Sequence, residues 1–422
     1  MTIEQRYAEL YAATAERIGR GFPFSVNSRR RQMLDDFLLC GVPDTREERY
    51  RYTDMRRTFG RALHVALPDE GHFGSGAPFG LRNGYCVDED RLDVADNGVI
   101  IGSLRAASVD YEQIVLDHYN SMAANKADAL TALNSAFAPD GAIVYVPDNV
   151  AAGSISVELD YDSRYPDALI FSRLLVIVGR GGSAEVSVSY RCREGYGMVV
   201  DHVTEVVAGE DSHLTISELH DFSDNCTAIL NGYSRVAAAG KLDRIFVSLG
   251  GEALRADYHC DLVGGGAQGA LYGLFITGKA EKVDIYTATN HLVPDGSSYQ
   301  MVKGLASGSS TGVFSGRIYI APDAGGASAE QHSRNITLTP DARIVTAPQL
   351  EIYAEDVRCS HGASVGQLDD QAIYYMRQRG IDHSTARRLQ IAGFMNDIVA
   401  RCSDEQFSSQ LHTLIDSKID AF

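Results

Sequence analysis

The segment from about residue 142 to residue 357 constrains the fold most, because it consists almost entirely of short β-type runs. No stretch of about 10–15 residues within it shows the helical period. A doubly wound α/β fold is therefore excluded, since its parallel strands need crossover helices. Representative runs are LIFSRLLVIVG at 169–179, AEVSVSYR at 184–191, HLTISELHDF at 213–222 and KVDIYTATNHL at 282–292.

Three architectures accommodate so long a β-rich segment: a large sandwich, a propeller or a β-helix solenoid. The WD dipeptide of common propellers is absent. Apolar residues often come in consecutive pairs, and small or polar residues occupy the bends, which suits stacked coils with one internal face. No strict repeat is visible, so the pattern alone leaves the three architectures open.

Helical patterns flank the β-rich segment on both sides. At the amino-terminal side, apolar residues recur at helical spacing over 4–18 and 29–39, a few short strands are predicted over 60–100, and 108–119 and 123–137 are again helical. The tail from residue 367 predicts three helices, capped by Asp369, Ser384 and the SDEQ sequence at 403–406. We therefore predict a mainly helical region at 1–140, a β core at 141–362 and a helical domain at 363–422.

Charge and cysteine usage indicate the compartment and exclude some partners. The net charge of −18 argues against nucleic acid and anionic membranes, which require a positive face. The polar start MTIEQRYAEL predicts no signal peptide, and no apolar run is long enough to span a membrane. Seven scattered cysteines without a CxxC pair are typical of a reducing compartment, so we expect a cytoplasmic protein.

The stretch PQLEIYAEDVRCSHGASVG, residues 348–366, carries the main candidate site. It places Cys359 and His361 two residues apart, directly after an alternating run typical of a strand. On a strand, such side chains project from the same face. Thiolate and imidazole are ligands that suit iron, zinc and copper. Two ligands do not close a metal site, so the others must come from elsewhere in the fold or from another chain.

Other interpretations of these and neighbouring residues stay open at this point. Cys359 and His361 also fit a buried cysteine beside a structural histidine, or a cysteine nucleophile with a histidine base. His259 and Cys260 are adjacent, so they face opposite sides of a strand and a structural role is preferred. The glycine clusters lack the lysine and following helix of a phosphate loop. The apolar stripe formed by Ile391, Phe394, Met395 and Ile398 fits either helix core or a partner-docking surface.

Several segments resemble the SufB/SufD family of iron–sulfur cluster assembly proteins. The longest is 313–381, which includes CSHGASVG at 359–366. Supporting pieces are GVP at 41–43 with RYT at 51–53, ALN at 132–134 with DG at 140–141 and YVP at 145–147, and ARR at 386–388 with GF at 393–394. The resemblance runs over nearly the whole chain. Within the family it is closer to the SufD branch, because NITLT at 335–339 has no thiol where SufB-like chains carry a functional cysteine, and Gly362 follows His361 where they have glutamate.

The resemblance implies a mostly β protein, with a right-handed parallel β-helix core between helical amino- and carboxy-terminal segments. It implies a scaffold subunit, not an enzyme, in a complex with SufB and the SufC ATPase. SufB would pair with the ends of the β-helix, and SufC would dock on the carboxy-terminal helices. His361 matches the family histidine at the SufB interface, where a transient nascent iron–sulfur cluster forms, and Cys359 matches the neighbouring family cysteine. The resemblance also allows a homodimer when SufB is absent.

Two hypotheses of different classes follow. The first is the non-enzymatic scaffold subunit, in which SufB supplies the ligands that Cys359 and His361 lack. The second is a stand-alone β-helix lyase or hydrolase that acts on carbohydrate, since β-helix enzymes of that kind use paired carboxylates such as Glu355 and Asp356. The absence of a predicted secretion signal and the presence of terminal helices favour the first hypothesis.

Overall fold

The chain forms a two-sheet parallel β-helix with helices against its outer faces. The computed structural model describes residues 1–66, 79–86, 88, 90–122, 128–162, 166–192 and 195–422. The first strands are β1 His64–Val65, β2 Phe79–Arg82, β3 Tyr85–Cys86, β4 Leu92–Val94, β5 Ile100–Ser103 and β6 Ala142–Val146. The coils then follow as β7 Ala151–Tyr161, β8 Ala168–Val178, β9 Ser183–Cys192, β10 Met198–Ala208, β11 His213–Asp221, β12 Cys226–Val236, β13 Lys241–Ser248, β14 Ala253–Leu262, β15 Gln268–Thr277, β16 Lys282–His291, β17 Ser297–Ala306, β18 Thr311–Ile320, β19 Ser328–Thr337, β20 Arg343–Ile352 and β21 Arg358–Gly366.

Alternate strands build the two sheets, so each coil contributes one strand to each. Sheet A runs in the order β4, β5, β6, β8, β10, β12, β14, β16, β18, β20, with β1 beside β8; sheet B runs β3, β2, β7, β9, β11, β13, β15, β17, β19, β21. Every pair from β6 and β7 onward is parallel, for example Met198 beside Cys226 and Thr311 beside Arg343. The predicted β-helix is therefore confirmed, and a right-handed turn is the sense expected for parallel crossovers.

The lumen between the sheets forms the main hydrophobic core. Inward-facing side chains such as Leu174, Val200 and Phe246 are almost fully buried there. Long parallel strands that are buried on both faces have nearly continuous apolar sequences. This burial accounts for the consecutive apolar pairs in the sequence, because outward-facing residues are covered as well.

The amino-terminal helices cover the outer face of sheet A. They are α1 Ile3–Ile18, α2 Phe24–Cys40, α3 Met55–Phe59, α4 Leu104–Asp110, α5 Glu112–His118 and α6 Ala129–Phe137. Phe137 stacks on Phe171 of β8 with ring centroids 5.1 Å apart. Buried ions complete the contact: Arg49 lies 2.9 Å from Asp128 and 2.7 Å from Asp257 of β14.

The sequence prediction for this region differs from the structure in detail. The single helix predicted over 108–119 is two short helices, and the cap is Ser103, whose hydroxyl accepts from the Ala106 N–H. Residues 123–127 of the predicted 123–137 helix, and part of the strand-rich 60–100 segment, lie outside the described residues. The division at residues 140 and 362 stays a prediction; β21 itself continues to Gly366.

The three carboxy-terminal helices are α7 Asp370–Gln378, α8 His383–Val399 and α9 Glu405–Asp420. Of these helices, α8 and α9 pack on the outer face of sheet B, and α7 packs on α8. Each begins at an aspartate cap: Asp369, Asp382 and Asp404 accept hydrogen bonds from backbone N–H groups of the first turn. Among the described residues, none of the helices combines the length and apolar character that a bilayer crossing requires.

Candidate functional site at the open end of the β-helix

Among the described strands, those of the last coil end both sheets, and none is paired beyond them. β20 is the last strand of sheet A and β21 the last of sheet B. Most of β20 is half-buried and most of β21 is exposed, whereas β8 is buried along its whole length. Pro348 in β20 fits this edge, because proline cannot donate to a following strand. We call β20 and β21 together the open end.

Cys359 lies within β21, and a turn separates this strand from the alternating run of β20. The sequence pattern predicts no such turn between the alternating run and the cysteine. Cys359 is the register partner of Ala329 in β19, and it packs against the small cluster formed by Ile318, Ile320 and Ala324. This partial burial raises the pKa of the Cys359 thiol. The sulfur is therefore a protonated, half-buried group until a metal or a base displaces its proton.

His361 is two residues further along β21 and is exposed. Its register partner is Gln331 of β19, a fully buried side chain that donates 3.0 Å to Gln300 Oε1. The side-chain oxygen Oε1 of Gln331 has no hydrogen-bond partner among the described residues. Register partners on parallel strands face the same way, so His361 lies on the lumen face at the open end. The predicted placement of Cys359 and His361 on one strand and one face is thus what the structure has.

The ligand set at the open end is small. Among the residues that the structure describes, no group of three or more His, Cys, Asp and Glu side chains is placed to hold a metal ion. His332 and Glu330 are close in sequence to the register partners of Cys359 and His361, but they occupy the alternate positions of β19, 3.6 Å from each other. Cys359 and His361 can therefore offer two ligands, one sulfur and one nitrogen, and a metal or cluster needs more.

A line of buried polar side chains in the lumen was not anticipated from the sequence. Tyr190 Oη lies 3.3 Å from His202 Nε2 and donates 3.1 Å to Glu218 Oε1, and Arg244 donates 2.9 Å to Glu218 Oε2. Burial lowers the pKa of His202 well below its usual value and lowers that of His220 to about 3, so both rings are neutral at pH 7. The sequence signal that could have indicated this line is the occurrence of polar residues at inward positions of otherwise apolar strands.

The polar line continues towards the open end through a small cavity. The cavity measures about 20 Å³ and is lined by Arg244, Tyr258, Cys260, Thr289 and Gln300 among others. Gln300 then accepts from Thr287 and from Gln331, the register partner of His361. The cavity thus lies between two hydrogen-bonded groups inside the sheets, one around Glu218 and Arg244 and the other around Gln300 and Gln331.

The apolar stripe of α8 lies inside the chain. Ile391, Met395 and Ile398 are buried, and Phe394 is partly buried, against sheet B residues such as Val247 and Leu274. In this chain the four side chains therefore form helix core, which is one of the two roles that their spacing allows. The exposed aromatic and aliphatic side chains of this domain are different ones, Tyr374 and Tyr375 on α7 and Leu389 on α8.

Lys303 fixes α8 to the β-helix. Its ammonium group is almost fully buried and donates 2.7 Å to the Phe394 carbonyl and 2.6 Å to Asp397 Oδ2. The hydrogen bond from Lys303 lowers the pKa of Asp397. Lys303 is the register partner of Arg334 in β19, which is the partner of Ser364 in β21. The attachment of α8 is therefore two strands from the open end.

The remaining sequence candidates have structural roles. His259 stacks on Tyr233 on the outer face of sheet A, while Cys260 lines the lumen cavity, so the adjacent pair faces opposite sides as predicted. Gly264 and Gly266 lie in the turn between β14 and β15, and Gly266 has a positive φ of 70°. The NITLT stretch at 335–339 begins in β19.

The fold and the open end define a class: parallel β-helix proteins whose last coil exposes two strand edges and a cysteine–histidine pair. A model of the core domain of SufB and SufD proteins, from the SUF system of FeS cluster assembly, matches residues 161–394. A model of the SufBD amino-terminal region matches 1–70 and 79–155. The chain therefore belongs to the SufB/SufD family of iron–sulfur cluster assembly proteins.

Individual relatives agree with this assignment. The chain is 29% identical to the iron–sulfur cluster assembly protein SufD of Bacillus subtilis, over 78% of this chain and 75% of the relative. It is 26% identical to a SufBD family protein of Synechocystis, over 93% and 91%. It is 27% identical to a SufBD family protein of Mycobacterium leprae, over 60% and 65%.

Proposed function

We propose that this chain is the SufD-type scaffold subunit of a SufB–SufC–SufD complex, and that it shares a nascent iron–sulfur cluster site with SufB at the open end. The observation that carries the proposal is the position of Cys359 and His361 on β21, the last strand of the β-helix. Because both residues lie on the last coil, a neighbouring chain can supply the missing ligands without disturbing the coils behind them.

The incomplete ligand set supports transient binding. Iron–sulfur clusters are normally held by four thiolates, and histidine replaces cysteine in some of them. Two ligands from this chain and the remainder from SufB would hold a cluster only while the two subunits are together. The cluster is the cargo of such a site, so a weak and shared coordination shell favours its release.

The edges of β20 and β21 provide the surface for SufB. An unpaired strand edge presents a row of N–H and C=O groups that readily accepts another strand. SufB would therefore add its own strands to both sheets of the open end. A second copy of this chain would use the same edges when SufB is absent.

The carboxy-terminal domain is the proposed docking site of the SufC ATPase. The stripe of Ile391, Phe394, Met395 and Ile398 supports docking indirectly, since it holds α8 on sheet B. The direct contact would fall on the exposed side chains Tyr374, Tyr375 and Leu389. ATP-driven dimerisation of SufC would then pull on α8 and act through Lys303 on the strands next to the open end.

The chain itself acts as a scaffold and not as an enzyme in this proposal. It lacks a phosphate-binding loop with its lysine, so ATP hydrolysis belongs to SufC. The seven cysteines form no disulfide in the described structure, in keeping with the expected cytoplasmic location. No feature of the described residues favours the alternative of a carbohydrate lyase or hydrolase.

Anaerobic reconstitution with SufB and SufC tests the cluster site. We expect His361→Ala to lower the yield of cluster, measured by its visible absorbance, by about tenfold or more, as loss of a ligand or its support usually does. Cys359→Ala should show a smaller loss, because its thiol is half-buried. His332→Ala is the matched control, since His332 is on the neighbouring strand at an alternate position. Equal cluster yields from the His361 and His332 variants would contradict the assignment of His361 to the cluster site.

A binding measurement tests the docking of SufC. The double variant Tyr374→Ala, Tyr375→Ala should reduce retention of SufC on the immobilised chain, because two exposed aromatic side chains at a contact are common binding hot spots. Tyr196→Ala is the control, as Tyr196 is similarly exposed but lies before β10. Retention of SufC that is unchanged in the double variant would place the contact on another face.

A further inference from the structure

We propose that Cys192, Met198 and Cys226 form a binding site for one soft monovalent metal ion of the Cu(I) class. The three residues lie at one corner of the β-helix, where β9 ends and where β10 and β12 begin. They belong to coils near the amino-terminal part of the solenoid, separate from Cys359 and His361 on β21. The proposal does not depend on SufB or SufC.

Three sulfur atoms converge at this corner. Cys192 Sγ lies 3.5 Å from Met198 Sδ. Met198 and Cys226 are direct register partners on the parallel strands β10 and β12, so their side chains lie side by side in the lumen core. The Cys226 thiol donates a hydrogen bond to the Cys192 sulfur. The geometry thus places two thiols and a thioether at one corner, with the Cys192 sulfur in contact with each of the other two.

The two thiols have different surroundings, which shift their pKa values in opposite directions. Hydrogen bonds from Cys226 and from the Ser223 hydroxyl, which is 3.1 Å away, lower the pKa of Cys192 to about 7 against the effect of burial. Burial raises the pKa of Cys226, which keeps its proton while no metal is present. Thiolate is the form that binds metal, and the Cys226 thiol and the Ser223 hydroxyl both donate towards the Cys192 sulfur, where that charge would lie.

Metal binding replaces the S–H···S hydrogen bond between the two cysteines. Cys192 and Cys226, both as thiolates, and the Met198 thioether each donate an electron pair to the ion, and the thiol protons leave to solvent. One positive ion and two thiolates give a centre of charge −1, and no atom changes oxidation state. Thiolate and thioether ligands select Cu(I) over harder ions.

Access to the corner is one-sided. Met198 and Cys226 are fully buried, whereas Cys192 is half-buried. An ion would therefore meet Cys192 first and then pass to the two inner sulfurs. The apolar core around these two side chains excludes water from a bound ion, which further disfavours hydrated divalent ions such as Mg²⁺.

Competition for Cu(I) tests the site on the full chain alone. The protein is loaded anaerobically with Cu(I) and challenged with bicinchoninate, a coloured Cu(I) chelator. We expect the wild type to keep one Cu(I) per chain, Cys192→Ser and Cys226→Ser to lose it, and Met198→Leu to hold it at least about tenfold more weakly. Cys260→Ser and Cys402→Ser are the controls, because these cysteines lie away from the corner, in β14 and between α8 and α9. Both controls should retain the ion.

A second readout covers variants that fail to fold. In the wild type, bound Cu(I) should protect Cys192 and Cys226 from alkylation, as mapped by mass spectrometry, while exposed Cys40 stays reactive. X-ray absorption should show sulfur neighbours only. Complete transfer of Cu(I) from the wild type to the chelator, loss of the ion in the Cys260 variant, or protection elsewhere than at Cys192 and Cys226 would each overturn the proposal. Failure of cluster assembly with SufB would leave this result unaffected.

Discussion

The two ends of the β-helix treat their strand edges in opposite ways. At the first end, sheet A continues into antiparallel β5 and β4, and sheet B continues into the antiparallel β2–β3 pair. At the open end, both sheets stop at half-exposed or exposed strands. Solenoids need capping elements at both ends to keep their edges from pairing. This chain therefore covers one end with its own strands and leaves β20 and β21 exposed at the other, where the proposed function places a partner.

Ion pairs should show the largest stability difference between the two ends. Arg173 of β8 lies 3.6 Å from Glu205, with both side chains about 2% exposed. Arg317 lies 2.7 Å from Glu351 of β20, with side chains 27% and 37% exposed. We expect Arg173→Ala to lower the free energy of unfolding by about 3–5 kcal/mol, because it removes the cation beside the buried Glu205 carboxylate and the hydrogen bonds from Arg173 to Asn120 and Ser135.

The matched variant at the open end is Arg317→Ala. Water and salt screen this more exposed pair, so its loss should cost no more than about 1 kcal/mol. Urea unfolding of both variants measures the two values. Equal costs at the two positions would mean that the two ends are equally covered, and the contrast between them would be lost.

Apolar packing gives the next largest contrast. Leu174 of β8 is about 1% exposed in the lumen, whereas Leu350 of β20 is only partly buried. Leu174→Ala should cost about 2–5 kcal/mol, since it leaves a cavity in a closed core. Leu350→Ala should cost less than half as much in the isolated chain, by the same urea measurement. A larger loss for Leu350 than for Leu174 would show that the last coil is packed as tightly as the first.

The β core could be predicted from the sequence, but the arrangement of its strands could not. Alternation and the lack of helical period predicted the β core, because those patterns are local. The solenoid itself came only from the family resemblance, since register advances unevenly along the coils. Ala253 pairs with Lys282 and Lys282 with Thr311, but Thr311 then pairs with the more distant Arg343. This uneven spacing hides the repeat.

The candidate site could likewise be predicted only where it depends on neighbouring residues in the sequence. Cys359 and His361 were found because their spacing is local, but nothing local indicates that β21 is the last strand of a stack. The helical period predicted that Ile391 and Ile398 share a face, but not whether sheet B or another chain covers it. The buried partners of His202 and Glu218 were missed, because their contacts join strands that are far apart in sequence.

Burial of His220 in the lumen should make the stability of the protein depend on pH. Burial lowers the pKa of His220 to about 3, and its Nδ1 lies 2.7 Å from Ser248 Oγ. Below about pH 6.5 the unfolded chain binds a proton at this residue and the folded chain does not, so stability falls as the pH decreases. His220→Gln should flatten the slope of unfolding free energy between pH 6 and 4.5 by about 1 kcal/mol per pH unit. An unchanged slope would mean that His220 takes up a proton in the folded protein.

Hydrogen–deuterium exchange tests most directly the claim that the open end is left for SufB. In the isolated chain, amides of β20 and β21 should exchange much faster than those of β8, because edge strands with few buried contacts open readily. Addition of SufB should slow exchange in β20 and β21 strongly and leave β8 unchanged. Complex formation with no added protection of β20 and β21 would contradict the account.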